Sequence, residues 1–237
     1  MLHALRVPAW RRALLAGRVL AGSEHVSVLQ NLGDVQSVID IGANRGQFAL
    51  AARHCFPGAG IFSFEPLSVP AETFRQNFAN DSKVRLIESG VAQIAGEADI
   101  HVSGRDDSSS FLPITPQQNA LFPGTAEVGT VRVRVGRLSD LLPGEAFPAP
   151  VLLKIDVQGF ELQALNGCED LMQRITWVYV ECSFIELYEG QALADTVIAW
   201  LCARGLRLVG VYNLTQDSVG RAIQADFLFG RSGPQAA

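Results

Sequence analysis

A short apolar run that ends in an acid and passes into small residues is a place where a ligand can be held. Ser37-Val38-Ile39-Asp40-Ile41-Gly42-Ala43-Asn44-Arg45-Gly46 has this form. It predicts a strand, a glycine turn and a helix that begins near Gln47. Gly42 and Gly46 carry no Cβ, so a ligand can approach the backbone. The unpaired N–H groups of a helix start bind negative or polar ligand atoms. Asp40 can accept hydrogen bonds from ligand hydroxyl or amino groups. Taken alone, the turn is as consistent with an ordinary βα connection as with a nucleotide-like ligand.

Three further acids follow apolar runs. Ile61–Phe64 leads into Glu65, nineteen residues beyond Gly46, where a carboxylate can bind both ribose hydroxyls of an adenosine. Val151–Ile155 leads into Asp156, and Trp177–Val180 into Glu181. Four acids on one sheet rim would raise one another's pKa unless a cation, hydrogen bonds or a positively charged ligand offset them. S-adenosylmethionine, with its sulfonium and ammonium, suits such a site. If Asp40 and Glu65 hold the nucleoside, Asp156 lies by the reacting end of the cofactor and is the best candidate for a base. Glu181 can orient an acceptor or share a divalent cation with Asp156 through oxygen ligands. Lys154 is read as the structural partner of a carboxylate. His3, His25, His54 and His101 fall at no strand end and are read as structural or surface residues.

The elements that must position these residues alternate. Strands at 37–41, 61–64 and 84–87 are separated by helices near 47–55 and 69–79, a spacing that implies right-handed parallel crossovers. Strands at 151–156 and 177–181 continue the series, with helices at 157–165 and 191–204. Leu206–Tyr212 and Ala225–Phe229 have no helix between them and should pair antiparallel. Residues 97–103 and 131–135 alternate as half-exposed strands. Between them, 113–130 is rich in Pro, Gly and polar residues and reads as an irregular insertion or lid. Residues 105–111 read as a loop over the site or as an ordinary surface loop.

A chain of 237 residues, 48% hydrophobic, suffices for one large α/β domain. Its net charge of −5 gives no reason to expect a nucleic-acid partner. Residues 1–22 carry +4 and the remainder −9. Residues 4–22 read as a basic amphipathic helix, with Leu5, Trp10, Leu14, Leu15 and Val19 on one face. It can contact a membrane surface, although packing at the domain edge or over the ligand site is the favoured reading. A second helix is expected at about 23–32. The four cysteines form no CxxC pair and read as reduced thiols of a cytoplasmic protein.

The runs VIDIGANRGQF, FEP, KIDVQGFELQAL, VYVECSF and QADFLF together resemble the FkbM-type family of S-adenosylmethionine-dependent methyltransferases, over about residues 35–231. The resemblance implies a class I methyltransferase (Rossmann-like) α/β fold, with a mostly parallel seven-stranded sheet and a C-terminal antiparallel hairpin. It implies O-methylation of a small-molecule or glycan acceptor, such as a sugar, glycolipid or secondary-metabolite hydroxyl. Carried over residue by residue, Asp40, Gly42, Asn44 and Gly46 would cradle the cofactor and Glu65 would hold its ribose. Gly90 and Val91, within Ser89–Ala92, would lie by the adenine, and Asp156 near the transferred methyl. Many relatives carry a histidine where this chain has Phe160, so no role as base can be carried over for it. The expected organisation is a helical extension at 1–34, the methyltransferase domain at 35–231 with an insertion at about 104–130, and a disordered tail at 232–237. Two other readings stay open. A nicotinamide-dependent oxidoreductase is disfavoured because the turn is GxxxG and no Tyr-xxx-Lys pair is present. A non-catalytic binding protein of the same fold is the other. Acceptor identity and oligomeric state are not legible.

Overall fold

The computed structural model describes residues 7–17 and 19–231. His3, Arg6 and Arg18, the ends of the expected 4–22 helix and the expected tail at 232–237 lie outside the described residues. In chain order the strands are β1 (Ser37–Ile41), β2 (Gly60–Phe64), β3 (Val84–Ile87), β4 (Gly90–Val91), β5 (Gly96–Ser103), β6 (Glu127–Gly136), β7 (Val151–Ile155), β8 (Trp177–Ser183), β9 (Leu206–Gln216) and β10 (Ala222–Arg231). The helices are α1 (Pro8–Gly17), α2 (Val26–Gln30), α3 (Gln47–Cys55), α4 (Ser68–Phe78), α5 (Pro116–Leu121), α6 (Leu138–Leu141), α7 (Glu161–Gly167) and α8 (Ala194–Cys202).

The main sheet has seven strands in the order β3-β2-β1-β7-β8-β10-β9. Its first five are parallel, and β10 is antiparallel to both its neighbours. The order reverses between β1 and β7, and the crevice at such a switch point is where open α/β sheets bind ligands. A smaller sheet, β4-β6-β5, stands beside it.

Alternation of side chains sorts the core into two layers. Ile39, Ile41, Leu153, Ile155, Val178 and Val180 pack with residues of α7 and α8 on one face. Val38, Ile61, Leu152, Tyr179 and Leu228 pack on the other face with α1, α2, α3 and α4. Asp40, Lys154, Glu181 and Asp226 share the parity of this second set. They therefore lie on the face of the sheet that carries the N-terminal helices.

The N-terminal segment packs on the domain and runs to the ligand crevice. Trp10 is buried and its Nε1 donates to Leu50 O at 3.0 Å. Leu15, expected on the same face, is 77% exposed. Five residues turn a helix about 500°, so Leu15 sits roughly 140° around from Trp10. The expected 23–32 helix is a 3-10 turn at Ser23–His25 followed by α2.

Three boundaries differ from expectation for local reasons. The 113–130 insertion is partly regular. Pro116 opens α5, the Thr115 hydroxyl caps it by accepting from Gln118 N at 3.2 Å, and β6 already begins at Glu127. Helix α7 starts at Glu161 and not at Val157, because Gln158 (φ 56°) and Gly159 (φ 96°) are left-handed. The C-terminal strands run longer than expected, to Gln216 and from Ala222. Among the described residues no helix is long and apolar enough to cross a membrane.

Candidate active site

After β1 the chain turns sharply through Gly42 (φ 83°), Asn44 (φ 48°) and Gly46 (φ 93°) into α3. Gly42 N and Ala43 N donate to Phe64 O, which ties the turn to the end of β2. A Cβ on Gly42 would lie 1.8 Å from Asp156 O, so only glycine lets the β1 turn pass the end of β7. Gly46 has a different task. A Cβ there would meet the Phe78 ring at 2.7 Å, and Gly46 does not line the cavity described next.

The turn borders a cavity of ≈ 230 Å³. On its β2–β3 side stand Glu65, Leu67, Ser89, Gly90, Val91 and Phe111. On its β7 side stand Glu24, His25, Gln47, Phe48, Lys154 and Asp156. A Cβ on Gly90 would come within 2.5 Å of the Phe111 ring, so the wall there is a close backbone approach.

Glu65 is buried and accepts from Asn44 N at 2.9 Å and Leu67 N at 2.8 Å. Burial pushes its pKa up to about 7 although these two bonds favour the anion. Asp40 does not reach the cavity. It is fully buried beneath the turn, with Ser63 Oγ at 3.4 Å from Oδ2 and Lys154 Nζ at 3.8 Å from Oδ1. Burial raises its pKa to about 6 and the Lys154 charge opposes the rise.

Lys154 Nζ also contacts Asp156 Oδ2 at 3.2 Å. It supplies the cation that the clustered acids require. Burial alone would raise the Asp156 pKa. The Lys154 ammonium and the hydrogen bonds from Gln158 and Lys154 outweigh it and hold that carboxyl below its ordinary value. Glu181 shows the opposite shift. Burial, with the nearby Asp156 charge, raises it well above the ordinary range.

Gln158 joins the two acids. Its Nε2 donates to Asp156 Oδ1 at 2.8 Å and to Glu181 Oε2 at 3.0 Å, while its Oε1 accepts from Tyr188 OH at 2.7 Å. Gln224 Nε2 donates to the other Glu181 oxygen at 2.8 Å. Glu161 braces the left-handed turn behind this bridge by accepting from Gly159 N at 2.9 Å. Asp156, Gln158, Glu181 and Gln224 line a second hollow of ≈ 250 Å³ with Asp107 and Gln118. Asp107, Asp156 and Gln158 belong to both hollows.

A divalent cation shared by Asp156 and Glu181, one of the two roles the sequence offered for Glu181, is not supported by this donor set. The amide of Gln158 occupies the space between them. Among the described residues no group of three or more His, Cys, Asp or Glu side chains is arranged to hold an ion. Phe160 stacks on Phe111 with ring centroids 4.9 Å apart and is apolar packing.

His25, read from the sequence as a structural or surface residue, is a structural anchor that also borders the cavity. Its Nδ1 lies 3.1 Å from Tyr179 OH and 3.6 Å from Asp226 Oδ2. Asn213 and Tyr179 both donate to Asp226 Oδ2. Burial lowers the His25 pKa to about 4, so the ring is neutral. The only available signal was amphipathic packing of the N-terminal segment, which does not say which residue meets the sheet. Gln158 was equally invisible, because its reach depends on a left-handed backbone.

Residues 40–208 match the family described as Methyltransferase FkbM domain. The chain is 29% identical over 172 residues to 2-O-methyltransferase NoeI of Sinorhizobium fredii, covering 70% of each chain. It is 28% identical over 200 residues to 31-O-demethyl-FK506 methyltransferase FkbM of Streptomyces tacrolimicus, covering 75% of this chain and 74% of that one. In fold it resembles a crystal structure described as an O-methyltransferase from Klebsiella pneumoniae, with TM-score 0.53 at 14% identity over 98% of this chain and 95% of the other. The match displaces the nicotinamide and non-catalytic readings.

Proposed function

The chain belongs to the FkbM family of S-adenosylmethionine-dependent O-methyltransferases, and on that premise we propose that its acceptor is a hydroxyl of a polyhydroxylated small molecule or glycan. The observation that carries this reading is the meeting of two hollows at Asp156 and Gln158. The inner one fits the cofactor. It has a turn whose close course past the Asp156 backbone only Gly42 permits and a buried carboxylate, Glu65, for ribose hydroxyls. Gly42, Asn44, Gly90 and Val91 would complete its walls. Asp40 and Gly46 act from behind, one by fixing Lys154 and the other by packing the turn. The outer hollow presents Asp107, Gln118, Glu181 and Gln224, a set suited to a ligand with several hydroxyls.

When bound, S-adenosylmethionine supplies an electrophilic methyl group. The residues of this chain hold an acceptor hydroxyl in line with it and exclude water. Proximity and orientation of this kind can supply roughly 7–11 kcal/mol of the barrier. Asp156, held anionic beside Lys154, orients the hydroxyl by accepting its hydrogen bond. Glu181, with its raised pKa, is the stronger base of the pair and takes the proton at a carboxylate oxygen. The NoeI relative is named for 2-O-methylation and the FkbM relative for a 31-O-demethyl-FK506 acceptor, which supports a hydroxyl here.

The test is transfer of a labelled methyl group to a panel of sugars, glycolipids and polyketides. Transfer to nitrogen or carbon acceptors alone would overturn the proposal. Asp156→Asn and Glu181→Gln should each lower turnover by about 10²-fold or more while cofactor binding persists. Wild-type turnover should rise with pH through the raised pKa of Glu181, because the base form appears above it. A profile that rises equally in Glu181→Gln assigns the base elsewhere.

A further inference from the structure

One wall of the outer hollow comes from the insertion between β5 and β6. Gln118 of α5, and Phe122 just beyond it, line the hollow together with Asp156 and Glu181. Gln118 is 3% exposed, and its side chain makes no hydrogen bond among the described residues. Its Oε1 is sealed from solvent, which leaves the amide nitrogen as the polar end that can meet a ligand. The carboxyl groups of Asp107, Asp156 and Glu181 share the hollow, and their lone pairs favour the nitrogen on that side. Gln158 has spent both Nε2 hydrogens, on Asp156 and Glu181, and Gln224 Nε2 gives one to Glu181. Carboxyl oxygens accept hydrogen bonds, and Gln118 adds unspent donors to that set. A buried amide left without a partner calls for one from a ligand.

The insertion holds Gln118 firmly in this place. Thr115, the cap of α5, donates to Leu187 O through both its N, at 3.1 Å, and its Oγ1, at 2.8 Å. Ile114 bridges to Tyr188, and Leu121 and Phe122 pack on Leu187, Tyr188 and Ile223. Tyr188 OH in turn donates to Gln158 Oε1 at 2.7 Å. Helix α5 and the Asp156–Gln158–Glu181 bridge are thus fastened to one residue.

We propose that Gln118 is a specificity-determining residue that donates a hydrogen bond to a second oxygen of the acceptor, while the reacting hydroxyl meets Asp156 and Glu181. The enzyme then selects a hydroxyl accompanied by another hydroxyl, ether or carbonyl oxygen in the same molecule. A lone alcohol leaves the buried amide unpaired and is discriminated against. The inference rests on the acceptor reading above and deepens it.

The probes are the best acceptor of the labelled-methyl panel and its analogues lacking one oxygen each. Calorimetry with S-adenosylhomocysteine reports folding and cofactor binding. Gln118→Leu should raise KM for that acceptor by about tenfold, keep kcat within about threefold and leave S-adenosylhomocysteine binding within about twofold. Gln118→Glu, which trades the donor for an acceptor at the same size, should raise KM at least as much. One analogue should carry the same penalty with the wild type and no further penalty with Gln118→Leu. An unchanged KM in Gln118→Leu, or penalties that match those of the wild type for every analogue, would overturn the proposal. Methyl transfer to nitrogen or carbon acceptors alone would instead reject the acceptor reading, and this inference with it.

Discussion

Glu65 shows how a single side chain can trade stability for binding. Its carboxyl is buried against two backbone donors, and its pKa lies at about 7 against an ordinary 4.5. A raised folded pKa means that the neutral form is favoured in the fold. The contribution to stability is complete below about 4.5 and is lost as pH rises through about 7. Glu65→Gln should flatten the fall in Tm over that window and stabilise the ligand-free protein at pH 8, by at most on the order of 3 kcal/mol. It should also weaken adenosine-containing ligands. Thermal melts of both proteins from pH 4 to 8 decide it, and parallel profiles would refute the account. Asp156 and Glu181 show a related lesson. Two acids bridged by one amide are pushed in opposite directions, because one faces an ammonium and the other does not.

At the scale of the element, the β1 turn and the N-terminal helices are separable. Gly42 faces both a positive φ and the Asp156 carbonyl. Gly42→Ala should shift the β1–β7 crest and abolish cofactor binding, with a stability loss of about 1–3 kcal/mol for the strained backbone. Retained binding, measured by calorimetry, would show that the crest can yield. Helix α1 depends on Trp10, which fills a buried site and bonds Leu50 O. Trp10→Ala should cost about 3–5 kcal/mol by chemical denaturation. If α1 only decorated the surface, the loss would stay below about 1 kcal/mol.

For the molecule as a whole, the sheet was largely legible. Short, mostly apolar runs such as Val151–Ile155, interrupted only by Lys154, read as buried strands, and their alternation with helices implies parallel pairing. Asp156 and Glu65 border the cavity because strand ends feed the crevice at the switch point. Asp40 was placed by the same logic and lies too deep, since the chain turns beyond it at Gly42. The Gln158 bridge and the His25 anchor stayed hidden. One depends on a backbone conformation that glutamine rarely adopts, and the other on a contact between residues 154 positions apart. Such long-range packing leaves no periodic mark in the sequence.

The place of β10 carries a consequence for synthesis. It enters between β8 and β9, antiparallel to both, and buries Phe227 and Phe229 in the core. The last strand of the described residues in chain order thus fills an interior position, and it also delivers Asp226 to the His25 cluster. The sheet cannot close until β10 has been made. A nascent chain that stops at Gln216 would expose the edges of β8 and β9 to water and to its neighbours. Completion of the fold, and with it of the His25 anchor, therefore waits for β10.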